Sequence, residues 1–294
     1  MGTRFGVVGT AYWAREVHLP GLLKATGAEV VGLWGRNPTV AKDIAEQSGI
    51  RAFTRFEDLL DAVDAVSIAV HPEAQADIAI AAANAGRHLL LEKPISLDPS
   101  SAQRVVNAIQ AAGVANIVFF IRRFIPEIAD VIALERRGGW KRAEVRVHSS
   151  VMVTDSPYRN SVWRQKPASA LWDIGPHVFS VLVPMLGTIV DIEAQFSPNH
   201  ITTIRTRHEG GGVADISLTL HASPENTANS YRFMSNARTL TLPNPPLLRT
   251  EVFRIAAQRL MENIARGHRR DECGAELGGQ IVTLLARADQ QLSA

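Results

Sequence analysis

Lys93 closes the apolar run His88–Leu91 and is followed at once by Pro94. A lysine there carries an ammonium to the carboxyl edge of a buried sheet, where open α/β folds bind their ligands. At such a place it can stabilise negative charge developing on an oxygen. Asp173 and His177 stand four residues apart. On a helix that spacing sets both side chains on one face, so the carboxylate can support an imidazole working as general acid or base. Pro176 confines the pair to a first helical turn, because a later proline breaks the hydrogen-bond ladder. Asp173 as a plain helix cap is the alternative.

A third group, Gly9-Thr10-Ala11-Tyr12-Trp13-Ala14, follows the apolar run Phe5–Val8. A dinucleotide fingerprint wants glycine for the turn, glycine for close approach of the pyrophosphate, and a small residue for helix–strand packing. Gly9 and Ala14 fit and Ala11 does not, while the Thr10 hydroxyl and the N–H groups of the following helix remain available to phosphate. Arg36 ends the second apolar run. NAD enzymes usually place an acidic residue near here to meet the adenosine ribose, whereas arginine suits a 2′-phosphate. The expected cofactor is therefore NADP(H) rather than NAD, with a solvated turn arginine as the alternative.

The remaining polar residues need less chemistry. Glu92 is expected to orient the loop before Lys93. His18, His71, His88, His148 and His177 are scattered at spacings that match no zinc pattern, so no metal is assigned. Cys273 is the only cysteine, which fits a reducing compartment.

The elements that must position these groups follow from the pattern of apolar residues. Short apolar runs at Arg4–Val8, Glu29–Trp34, Ala65–Val70, His88–Leu91 and Asn116–Phe120 alternate with helical spacing at Thr39–Ser48, Ala74–Ala85 and Ser100–Ala112. Continuous apolar runs are what strands buried on both faces show, and strand–helix repetition predicts a doubly wound parallel sheet. After residue 122 the rhythm changes to partly alternating strands, Glu144–Val153, Ile201–Arg207 and Val213–Leu220. The last two are joined by the hairpin signal Glu209-Gly210-Gly211-Gly212. Helices are predicted at Leu171–Leu186, Val252–Arg266 and about Glu276–Leu292. The expectation is an α/β chain in two domains. Residues 1–121 form a dinucleotide-binding Rossmann domain, and residues 122–294 form an α/β domain with an open, largely antiparallel sheet.

Taken together, Ala82-Ala-Asn-Ala-Gly-Arg-His-Leu-Leu-Leu-Glu92-Lys93-Pro94, Arg122-Arg123-Phe124-Ile125-Pro126, Trp163-Arg164 and Asp173-Ile174-Gly175-Pro176-His177 resemble the motifs of the glucose-fructose oxidoreductase / inositol dehydrogenase (Gfo/Idh/MocA) family in order and spacing. The resemblance implies hydride transfer between a nicotinamide and a carbinol or carbonyl carbon, usually of a sugar or polyol. It also implies a homo-dimer or homo-tetramer built through the C-terminal sheet. By resemblance, Val70, His71, Glu92, Lys93, Arg122 and Trp163 join the cofactor residues, and Tyr158 and Arg164 join Lys93, Asp173 and His177 at the substrate. The chain departs from the family at Ala168-Ser169-Ala170-Leu171, where a glycine-rich run is usual, and at Val70-His71-Pro72, where Thr-Pro-Asn is usual. A non-catalytic NADP(H)-binding sensor on the same fold is the alternative. The joint presence of Lys93, Asp173 and His177 argues against it.

Composition sets the outer bounds. The 294 residues carry 31 basic and 29 acidic side chains, a formal net charge of +2. With no Lys/Arg-rich tract, that balance leaves no electrostatic footprint for nucleic acid. No leader pattern and no run of ~18 apolar residues appear. The expected setting is cytoplasmic, with a small-molecule substrate and no membrane.

Overall fold

The computed structural model describes residues 2–136, 138–159, 162–166 and 169–292. Two compact units emerge. The first comprises the chain up to Phe124 together with Leu247–Val282, and the second comprises Ile125–Pro246 with the residues from Thr283 onward.

The first unit is built on a six-stranded sheet: β1 (Thr3–Val8), β2 (Ala28–Trp34), β3 (Arg51–Phe53), β4 (Ala65–Ile68), β5 (His88–Leu91) and β6 (Asn116–Val118). Its order is β3-β2-β1-β4-β5-β6, and every pairing is parallel. The order reverses between β1 and β4, the point where doubly wound sheets open a ligand crevice at their carboxyl edge. α1 begins after β1 as a π-helical turn, Ala14–His18, and continues as the α-helix Leu19–Leu23. α2 (Pro38–Ser48), α3 (Phe56–Ala62), α4 (Pro72–Asn84) and α5 (Pro99–Ala112) make the later crossovers.

The sequence dictates several of these boundaries. Asn37 Oδ1 accepts from the N–H groups of Thr39 and Val40 to start α2, and Asp98 Oδ1 accepts from Ser101 N–H to start α5. Each is followed by a proline at the first helical position, where a missing N–H costs nothing. Strands 4 and 6 end two residues earlier than their apolar runs, and β3 and α3 were not read from sequence.

α8 (Arg249–Ala265), placed by sequence in the second domain, belongs to the first unit. Its Phe253 is fully buried, 4.1 Å from the His18 ring and 5.0 Å from Phe119 between ring centroids. Gly21 makes room for it, since a Cβ there would fall 2.6 Å from the Phe253 ring.

The second unit carries α6 (Pro126–Glu135), α7 (Ser169–Leu186) and six strands: β7 (Arg142–His148), β8 (Ile189–Phe196), β9 (Thr202–His208), β10 (Val213–Thr219), β11 (Ala228–Met234) and β12 (Thr239–Thr241). The sheet order is β12-β11-β7-β10-β9-β8. Only the β7–β10 pair is parallel, so the sheet is mixed and mostly antiparallel. β9 alternates buried and exposed residues throughout, which leaves one face open. α7 packs against the covered face and is buried nearly all round. Among the described residues it is the one helix long and apolar enough to cross a membrane, and 78% of it is buried inside the protein. α9 (Ala275–Leu292) closes the chain.

β7 ends at His148 rather than Val153. α6, β8, β11 and β12 escaped the sequence reading: a bulge between Ile189 and Asp191 spoils the period of β8, and only Tyr231 and Phe233 are buried in β11.

Candidate active site

Because all six strands of the first sheet run in parallel, the segments that leave them lie along one edge. There the structure gathers the Gly9–Trp13 turn after β1, Arg36 after β2, Val70 and His71 after β4, Glu92 and Lys93 after β5, and Arg122 after β6. Gly9 is required by geometry. Its φ is +125°, and a Cβ there would sit 2.2 Å from the Ala69 carbonyl oxygen and 3.5 Å from Val70 Cγ1. Its N–H donates to Trp34 O at 2.9 Å. Such a glycine turn, running into a helix whose first N–H groups have no intrahelical acceptor, is a cradle for pyrophosphate, and the residues present fit a dinucleotide. Ala11 is exposed.

The neighbouring turn interlocks with this one. A Cβ on Gly35 would lie 2.4 Å from Thr10 Cγ2, so Thr10 packs where that glycine leaves space. Arg36 follows, exposed, between Gly35 and the capping residue Asn37. His71 precedes α4 and lies 3.8 Å from the Glu73 carboxylate.

The Lys93 segment is held from several sides. The Lys93–Pro94 peptide is cis. Gln75 Nε2 donates to Glu92 O at 2.6 Å and to Pro94 O at 2.8 Å, and its Oε1 accepts from Glu92 N–H at 3.2 Å. Glu92 Oε2 accepts from the Lys93 N–H at 3.1 Å. The other oxygen, Oε1, lies 3.1 Å from His18 Nε2, and His18 Nδ1 lies 2.8 Å from Ser67 Oγ. Both Glu92 oxygens are therefore engaged, through partners that sequence did not reveal.

In the second unit Arg164 donates to both oxygens of Asp173, at 2.7 Å from Nε and 3.2 Å from Nη2. The guanidinium also lies 4.2 Å over the Tyr158 ring. This two-pronged, charge-assisted contact between two largely buried side chains joins three of the expected substrate residues. Arg164 thus engages both carboxylate oxygens of Asp173, a partner beyond the His177 expected from the spacing.

Asp173 and His177 share a face of α7, but not in its first turn. The helix begins at Ser169, so Pro176 lies inside it and Asp173 is not its cap. Pro176 is the eighth of its 18 residues, so it removes one rung of the hydrogen-bond ladder in a helix held mainly by burial. The side chain of Trp163 and the residue Ala168 lie outside the described residues.

Sequence reasoning missed His18, Ser67 and Gln75, all buried. Ser67, a hydroxyl in the otherwise apolar run Ala65–Val70, was the one available signal. Arg249 was missed as well: its guanidinium lies 5.7 Å over the Trp13 ring, and Nη1 donates to Tyr12 Oη at 3.5 Å. Arg123, next to the expected Arg122, is buried in an ion pair with Glu272 at 3.0 Å.

Comparison with known proteins fits this geometry. The Gfo/Idh/MocA model, an oxidoreductase family with an NAD-binding Rossmann fold, matches residues 3–120. An uncharacterized oxidoreductase of Rhizobium meliloti is 26% identical over 257 residues, 82% of this chain and 75% of its own length. Inositol 2-dehydrogenase of Corynebacterium glutamicum is 36% identical over 140 residues, 46% of this chain and 41% of that enzyme. Levoglucosan dehydrogenase, solved in complex with NADH and levoglucosan, has a TM-score of 0.85 at 17% identity, with 100% of this chain and 98% of that one covered. At that identity the likeness shows the shared fold.

Proposed function

We propose that the chain, whose residues 3–120 match the Gfo/Idh/MocA oxidoreductase model, transfers a hydride between NADP(H) and a carbinol or carbonyl carbon of a sugar-like or other small polar substrate. The observation that carries this reading is the placement of the Gly9 turn and Lys93 on one carboxyl edge of one sheet, at β1 and β5, with the switch point between β1 and β4. The relatives named for inositol and levoglucosan act on a polyol and an anhydrosugar, which supports the substrate class.

A bound nicotinamide supplies the hydride acceptor or donor. Lys93 places its ammonium against the substrate oxygen and stabilises the charge that grows there. His177 gives that oxygen a proton in reduction and takes it in oxidation. Asp173 is the electrostatic partner of His177 and also holds Arg164, which lies over the Tyr158 ring. A homo-dimer or homo-tetramer through the second sheet is supported by its open face, where Glu144, Arg146, Arg205, Asp215 and Arg232 stand out as alternating charges.

The NADP(H) preference rests on Arg36. A guanidinium meeting a 2′-phosphate makes charge-assisted bonds of roughly 1.5–3 kcal/mol each, which predicts about ten- to a hundredfold tighter NADPH than NADH binding. Fluorescence titration of wild type and Arg36→Asp with both cofactors tests it. The substitution should reverse the order, and equal wild-type affinities would refute the preference.

A further inference from the structure

We propose that His18 is a positioning residue for Lys93, acting through the buried carboxylate of Glu92. The proposal rests on the reading of Lys93 as the cation that meets substrate.

His18 is wholly buried in α1, on the π-helical turn that follows the phosphate loop. A π-helical turn inserts a residue into the helical register, and such turns gather at functional sites. The ring fills a slot in which Phe253 lies 4.1 Å away and Phe119 6.3 Å away. Packing of this kind fixes the plane of the imidazole and leaves its two nitrogens to polar partners. Ser67 Oγ meets Nδ1 at 2.8 Å and Glu92 Oε1 meets Nε2 at 3.1 Å. With the Nε2 proton donated to the carboxylate, Nδ1 accepts the Ser67 hydroxyl proton, and every polar atom of the set is satisfied. A buried carboxylate left without such donors is strongly disfavoured, so its partners are part of what holds it in place.

The use of the carboxylate is what makes this more than core packing. Its second oxygen binds the backbone N–H of Lys93, while Gln75 bonds the carbonyls of Glu92 and Pro94 on either side. The peptide groups flanking Lys93 are thereby tethered to α1 and α4. Lys93 carries its charge at the end of a long flexible stem, so a small rotation of its backbone displaces the ammonium by an ångström or more. Misplacement of about 1 Å can cost about a hundredfold in rate. Supporting residues of comparable kind are worth about 10–100-fold in activity.

Five lysines occur in the chain, at 24, 42, 93, 141 and 166, so full-length protein grown on [ε-13C]lysine gives one signal for each, and Lys93→Met assigns the one of interest. His18→Leu and the near-isosteric Glu92→Gln should each move the Lys93 signal and leave the other four in place. They should also lower kcat about 10–100-fold with the best substrate from an NADPH-oxidation screen, while NADPH affinity stays within about threefold. His18→Gln, whose amide can still donate to Glu92, should recover most of the lost kcat. A merely structural histidine predicts a lowered melting temperature with the Lys93 signal unmoved and no rescue by Gln. If His18→Leu does not fold, Glu92→Gln carries the same reading. An unmoved Lys93 signal in the variants that fold, or kcat within twofold of wild type, would overturn the proposal. Full turnover in Lys93→Met would instead overturn the role of Lys93 in the chemistry. The carbon signal reads whether His18 fixes its position in either case.

Discussion

Replacing Gly9 by alanine tests the cofactor turn at the point where the structure leaves least room. At φ +125° an L-residue is strained, and the added Cβ would meet the Ala69 carbonyl oxygen at 2.2 Å, more than an ångström inside a comfortable contact. The obstacle is backbone at the end of β4, which no side-chain rotation clears. Strain of the first kind costs of order 1–3 kcal/mol, and moving one turn away from the other adds to it, so a loss of at least ~3 kcal/mol is expected. Gly113 provides the control. Its φ is +60° at the end of α5, with nothing within 4 Å of an added Cβ, so Gly113→Ala should cost only about 1–2 kcal/mol.

For a unit of this size each kcal/mol shifts the melting temperature by roughly 2–4 °C. Calorimetry should therefore show Gly9→Ala melting at least about 6 °C below wild type, and Gly113→Ala lower by no more than about 8 °C and by less than Gly9→Ala. Calorimetric titration with NADPH should show at least tenfold weaker binding for Gly9→Ala and an unchanged constant for Gly113→Ala. If the two variants melt alike and bind alike, the turn has slack that the geometry denies, and the argument for Gly9 as the cradle fails.

Three further outcomes are expected. Lys93→Met should remove most turnover without lowering the melting temperature; a loss that tracks instability instead would return Lys93 to a structural role. His177→Asn should lower kcat by roughly 10²–10⁴ with cofactor affinity nearly unchanged, and full turnover would exclude it as the proton carrier. Stability should fall as pH drops from 7.5 to 5.5, because burial holds His88 and His208 below the usual histidine range. Below about 6.5 the unfolded chain binds protons that these folded histidines refuse, at up to about 1.4 kcal/mol per pH unit for each. His88 Nδ1 accepts the Ala115 N–H, a bond that protonation would break. Urea denaturation at the two pH values measures the slope, and a flat profile would contradict the assignment.

The parts of this molecule legible in its sequence are those set by short-range pattern. Continuous apolar runs marked the buried parallel strands, helical spacing at Thr39–Ser48 and Ser100–Ala112 marked α2 and α5, and Glu209–Gly212 marked the β9–β10 hairpin. Gly9 and Lys93 were visible for the same reason, since each sits at the end of such a run. What escaped depends on partners far apart in the chain. Phe253 belongs with the first unit because of where His18 and Phe119 stand, and no local pattern says so. The Arg164–Asp173 contact spans nine residues and follows no helical spacing. His18 looked like one more scattered histidine, because its partners Ser67 and Glu92 come from β4 and from the end of β5, 49 and 74 residues away.

The proposed NADP(H) preference draws on the way two turns share space. Thr10 occupies the volume that a side chain at position 35 would need, so the residue after β2 is glycine for the sake of the turn after β1. The adjoining Asn37 is committed as well, because its side chain caps α2. Arg36 is thus flanked by two residues whose conformations are set by other demands, and its backbone is fixed while its side chain points into solvent. A guanidinium presented this way loses little conformational freedom on meeting a phosphate, which is the condition under which a charge-assisted pair retains most of its worth. An acidic residue at the same place would inherit the same fixed backbone. Arg36→Asp is for that reason expected to exchange one preference for the other rather than abolish binding.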